Sequence, residues 1–209
     1  MRKTLLALLI TVMIATLPAT AGTIIYPIGM ASTAGFTNGS GVGQTPRGWD
    51  FVISQPITVM QLGVNAGVSM EITMSLWNVT TQTLLGQTTV TSSPFAWTFA
   101  DLAKPINLTP GDTFAVIGWA DTSNTENPWY IYNNSPPAAF NPTGTVTYLN
   151  TRFDNGIGPN QFPLSTVGSP AQYGVTDIGY MSSVPEPGTI ALIGSGLALV
   201  GAVRRRLNL

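Results

Sequence analysis

The chain has 209 residues, with eight Lys and Arg, nine Asp and Glu, and neither Cys nor His. Without thiol or imidazole it lacks the usual zinc, copper and haem ligand sets, the Ser-His and Cys-His catalytic pairs, and any disulfide. Five of the eight cations (Arg2, Lys3, Arg204, Arg205, Arg206) lie at the ends, and residues 22–183 hold three against eight acids, a net of −5 that excludes nucleic acid as a partner.

Arg2 and Lys3 precede an apolar run at 5–17, and Ala19-Thr20-Ala21 has the small-x-small form that signal peptidase cuts. The expected cut follows Ala21. Residues 1–21 are then a signal peptide, helical in its apolar part, and Gly22 begins the mature chain.

From residue 23 onward, short apolar runs alternate with Gly, Pro, Asn and Asp, the rhythm of a sandwich or barrel. Residues 23–28 read as a first strand and 29–43 as a Gly-rich loop. Its glycines lack the dinucleotide-fingerprint spacing, and no phosphate-loop Gly-Lys pair follows. At 49–54 the alternation puts Trp49, Phe51 and Ile53 on one face; at 57–65 it groups Met60, Leu62 and Val64; at 71–78 it groups Ile72, Met74 and Leu76. Strands at 84–91, 95–102 and a brief 106–108 lead to the turn Pro110-Gly111-Asp112. Residues 113–120 are apolar on both faces, as in a central buried strand. Beyond the polar loop 121–128 lie strands at 129–133, 145–153 and 171–181, separated by irregular stretches at 134–144 and 155–170. These ten or eleven strands predict an all-β fold for residues 22–183, an antiparallel two-sheet sandwich with jelly-roll-like topology.

The last segment, residues 184–209, has three parts. Val184-Pro185-Glu186-Pro187 resists helix, because proline lacks the backbone donor and restricts its neighbour. Residues 188–203 carry no charge, and as a helix would span about 24 Å of a hydrocarbon core of about 30 Å. Arg204, Arg205 and Arg206 belong on the cytoplasmic side, which leaves the body outside.

This layout resembles the PEP-CTERM sorting signal of exported bacterial proteins, in which a Pro-Glu-Pro box, a hydrophobic helix and a basic terminus follow one another. The resemblance implies recognition and cleavage by a membrane-embedded exosortase. It implies a transient inner-membrane anchor through the C-terminal helix, then release to the cell surface or extracellular matrix. A second likeness rests on Trp49-Asp50-Phe51, Ser75-Leu76-Trp77-Asn78 and Leu108-Thr109-Pro110-Gly111-Asp112, which are similar to β-sandwich domains found ahead of that signal. It implies the fold and no particular activity.

Candidate sites are few. A glycosidase needs two carboxylates about 5–10 Å apart; the eight acids of the body allow many pairs, whose separations a sequence does not give, and Asp112 and Asp154 already have turns to explain them. The loop 121–127 gathers Asp121, Glu126 and two amides, oxygen donors of the kind calcium takes, without EF-hand spacing. Beside it, Trp129 and Tyr132 offer aromatic faces that stack on sugar rings. Asp121, Glu126, Trp129 and Tyr132 are therefore the expected position of any carbohydrate or calcium site; no firm metal site and no cofactor is expected. Asn38, Asn78 and Asn107 open glycosylation sequons that a Thr- and Asn-rich composition produces by chance. The expected function is a non-catalytic, structural or adhesive surface protein of an exopolysaccharide or biofilm setting. The alternatives are a carbohydrate-binding module or a hydrolase of extracellular polysaccharide.

Overall fold

The computed structural model describes residues 22–40, 43–123, 129–168, 172–173 and 175–182, and these form antiparallel sheets. The expected flanking helices, within 1–21 and 184–209, lie outside the described residues, among which no helix is long and apolar enough to cross a membrane. The larger sheet has six strands in the order β10 (Ser165–Gly168), β9 (Val146–Phe153), β2 (Arg47–Ile53), β7 (Thr113–Trp119), β4 (Glu71–Asn78), β5 (Thr83–Thr91). Against it packs a three-stranded sheet, β12 (Val175–Ser182), β3 (Ile57–Asn65), β6 (Trp97–Leu108). A third, small sheet joins β1 (Thr37–Asn38), β8 (Ile131–Asn133) and β11 (Gln172–Tyr173).

Period-two patterning explains most of this. Trp49, Phe51 and Ile53 of β2 and Ile72, Met74 and Leu76 of β4 point into one core with Val59, Leu62 and Val64 of β3 and Ile178 of β12. The strand apolar on both faces, β7, is interior to the six-stranded order. Phe114 and Val116 join the main core, while Ala115 and Ile117 face outward beneath Trp77 and Phe162. The sheets are also joined by hydrogen bonds: Trp49 Nε1 donates to the Thr176 carbonyl at 2.7 Å, and Thr176 Oγ1 donates to the Val116 carbonyl at 3.2 Å.

Three expectations need correction. Met60 does not share a face with Leu62 and Val64: a bulge between Val59 and Gln61 reverses the phase, so Ile57 and Val59 are buried before it and Leu62 and Val64 after it. The two runs at 95–102 and 106–108 are one strand, β6. Residues 102–105 are left out of the register with β3, Leu102 stays in the core, and Pro105 lies in an edge strand, where a missing donor is tolerated. Residues 23–28 are not a strand. Ile25 makes a single bridge to Tyr180, Pro27 supplies no donor, and the chain then straps across the outer face of the β12-β3-β6 sheet. There the Tyr26 ring sits over Gly179, lies tilted 4.4 Å from the Phe99 ring, and its hydroxyl donates to Gln61. Gly63 leaves room for Phe99, whose ring a Cβ at residue 63 would strike.

Three buried ionisable side chains pin these layers. Asp50 and Arg152 form a two-pronged ion pair, with Nε on Oδ1 and Nη2 on Oδ2 both at 2.6 Å, while Nη1 donates to the Pro163 carbonyl. Arg152 also lies over the Phe162 ring, so one side chain fastens the 155–164 stretch to the outer face of the larger sheet. Desolvation raises the Asp50 pKa despite the opposing hydrogen bond and charge of Arg152. Asp177, wholly buried beneath the strap, accepts from the Ile28 amide at 3.3 Å and the Ile178 amide at 2.9 Å. Its pKa is raised well above 3.8, by burial first, against the pull of those two amides.

Arg152→Met should destabilise the fold by about 3–5 kcal/mol in denaturant titrations, because Asp50 is left buried without its counter-charge. The double change Asp50→Leu with Arg152→Met should recover most of that loss, and equal losses in the single and double variants would contradict the pairing. For Asp177 the folded state holds its proton to higher pH than the unfolded chain. The stability linked to it is therefore complete below about pH 3.9 and declines as pH rises through the folded value. Thermal midpoints measured from acid to neutral pH should show the native protein losing ground to Asp177→Asn as pH rises; a constant difference would refute this assignment.

Candidate functional site

Strand parity dissolves the expected site. Trp129 and Ile131 point inward and are fully buried, whereas Tyr130 and Tyr132 fall on the opposite parity. The Trp129 indole donates to the Thr45 carbonyl at 2.8 Å, and Gly118 is small where the ring passes. Trp129 is therefore core and is not a stacking platform. Asp121 is exposed and turns back on Ser123, accepting from its amide at 3.0 Å and its hydroxyl at 2.6 Å. The hydroxyl bond first, then the amide, lowers its pKa. Glu126 lies outside the described residues, as do Ala19, Ala21, Val184, Pro185, Glu186, Pro187, Arg204, Arg205 and Arg206. Gly22 is described and lies against the Met181 side chain. Among the described residues no group of three acids is placed to hold a metal ion.

Tyr132 belongs elsewhere. It lines a cleft of about 340 Å³ with Tyr130, Arg47 and Phe153, rimmed by Ser40, Asn134, Asn155 and Val167. That volume is at the small end of the roughly 300–1,000 Å³ of small-molecule sites. The site sits where β1 and β8 meet the start of β2 and the end of β9. Its centre is Arg47, only 5% exposed. The guanidinium lies 4.4 Å from the Tyr130 ring centre and 5.7 Å from that of Phe153. Nη1 donates to the Pro46 carbonyl at 2.8 Å and to the Asp154 carbonyl, and Nη2 donates to Asn155 Oδ1 at 2.8 Å. Gly39 lies on the other side of Tyr130, where a Cβ would fall inside the ring, and its amide donates to the Tyr130 carbonyl at 2.9 Å.

Arg47 was not singled out by the sequence. It is one of three cations in residues 22–183, and the one that directly opens a strand of alternating aromatics, Trp49 and Phe51. That local pattern says nothing of its aromatic partners, Tyr130 and Phe153.

The cleft has a fixed relation to Gly22 and Ser182, the ends of the described body. Thr176 of β12 meets Trp49 near the start of β2, and Ser182 meets Gln55 just past its end, so the two strands run the same way. Ser182 and Gly22 therefore leave from one pole and Arg47 stands at the other, roughly 20 Å away along seven residues of strand.

Residues 183–206 match the model of the PEP-CTERM protein-sorting motif. No curated protein matches the chain.

Trp129→Ala should cost about 3–5 kcal/mol in chemical denaturation, the range for removing a large buried aromatic. Tyr132→Ala, at a half-buried position, should cost clearly less. Equal costs at the two positions would contradict the division between core and cleft.

Proposed function

We propose that this exported, exosortase-targeted chain is a non-catalytic surface protein, tethered at one pole of its sandwich and presenting a binding cleft at the other. The observation that carries the reading is the shared exit of Gly22 and Ser182 opposite Arg47. The sorting motif begins at residue 183, immediately after the last described strand, so no spacer separates the body from its sorting segment. A membrane anchor at that pole turns the cleft outward. Signal peptidase acts at the same pole, after Ala21, and exosortase follows at the tail. A structural or adhesive role in an extracellular polysaccharide matrix uses this orientation directly.

A carbohydrate-binding reading is favoured over a hydrolase by the composition of the cleft. Tyr132 and Phe153 supply rings, Asn134 and Asn155 supply amides for hydroxyls, and among the described lining residues none is an acid that could serve as a catalytic carboxylate.

Intact-mass measurement of the envelope-associated protein should find a chain that begins near Gly22 and lacks Arg204, Arg205 and Arg206. Recovery of the complete C-terminus on a cytoplasmic form would end the display reading.

A further inference from the structure

We infer that the ligand of the cleft is a neutral sugar chain and that the cleft discriminates against acidic ones, an inference that rests on the carbohydrate reading above. The reason lies in Arg47, the one charged residue among the described lining. Its side chain is almost wholly buried, 4.4 Å from the Tyr130 ring centre, and its donors go to the Pro46 and Asp154 carbonyls and to Asn155 Oδ1. A cation already matched inside the protein has little left to offer an incoming anion. Around it, residues 22–183 carry three cations against eight acids, a field that repels an acidic polymer before it arrives.

What the lining offers instead is uncharged. Tyr132 and Phe153 line the cleft and stay half-buried, so each keeps ring surface toward it. Such surface suits the apolar side of a pyranose, whose C–H groups gain by leaving water. Ser40, Asn134 and Asn155 are exposed at the rim. Ser40 and Asn134 each bring a donor and an acceptor, the same pairing that a sugar hydroxyl presents.

Asn155 is more specialised. Its Oδ1 is held by Arg47 Nη2 at 2.8 Å, so Nδ2, which can only donate, is the end that remains to meet a hydroxyl. Arg47 is thus a positioning residue. It fixes one amide and stands 5.7 Å behind one ring, that of Phe153, while its own charge is spent within the protein. A hexose and its uronic acid differ at one carbon, a hydroxymethyl group against a carboxylate. The carboxylate would shed water in this cleft without gaining a cation, a cost that the hydroxymethyl group avoids.

The test is calorimetric titration of the full-length protein in detergent with trimers of glucose, mannose and galactose, each beside the trimer of its uronic acid in the same linkage. At least one neutral trimer should bind about tenfold or more tighter than its acid, with an affinity that holds as salt rises. Tyr132→Ala should weaken it about tenfold, the loss of one stacking face. Asn155→Asp keeps the acceptor for Arg47 and removes the Nδ2 donor, so a folded protein with binding weakened about fivefold is expected. An acid trimer that binds as tightly as its neutral counterpart, or an affinity that falls steeply with salt, would overturn the neutral assignment and leave the carbohydrate reading standing. Neutral binding untouched by both substitutions would overturn the site. Binding of no trimer, neutral or acidic, would overturn the carbohydrate reading as well, while the mass of the envelope form still decides display.

Discussion

Trp49 is the joint on which the molecule turns. Its indole is wholly buried, with Phe51 at 5.2 Å and Tyr148 at 6.1 Å, and its one polar atom reaches the backbone of the opposite sheet. Burying such a ring contributes a few kcal/mol, and leaving its N–H unmet would forfeit much of that. The Thr176 carbonyl meets it, and the Thr176 hydroxyl returns the connection to β7. That short chain of bonds sets β2 alongside β12. The opposition of chain ends and cleft follows from it.

Without cysteine, the fold relies on layering. Each of the two packed sheets has a covered outer face as well as a core face. The larger sheet is capped by the 155–164 stretch through Arg152, Phe162 and Trp77, with rings 5.5 Å apart. The smaller is capped by the strap through Tyr26, Ile28 and the Asp177 carboxylate. The polar groups drawn into these covers are matched: Arg152 by Asp50, Asp177 by two backbone amides, and Trp119 Nε1 by the Ile157 carbonyl at 2.7 Å. Loops with their own buried anchors do the work that disulfides do in other exported domains.

The strands were legible in the sequence wherever a single phase of alternation ran uninterrupted, as in β2, β4 and the doubly apolar β7. They were misread where tertiary structure changed the phase. No local pattern announces the bulge that shifts Met60 away from Leu62, because it is imposed by the pairing of β3 with β6. Pro105 looked like a strand end and is instead an accommodated bulge. The site was misread for a simpler reason. Trp129 and Tyr132 differ in parity, and parity alone places them on opposite faces of an extended chain, one in the core and one in the cleft. Arg47 was invisible because its aromatic partners come from residues 130 and 153, far off in the chain.

The strap has a consequence for how the chain is made. Residues 22–40 run from the pole of the chain ends to the cleft: Ile25 meets Tyr180, Ile28 meets Asp177, Thr37 meets Tyr132, and Ser40 lines the site. An exported chain crosses the membrane N-terminus first, so this segment is the earliest of the body to emerge. Its main partner, β12, is the last strand, and the Ile28–Asp177 contact closes over a separation of 149 residues. Closing so large a loop is slow and comes late. The N-terminal half of the strap therefore lacks its partner until the last strand of the body is in place, and that strand ends at Ser182, directly ahead of the sorting motif at residue 183.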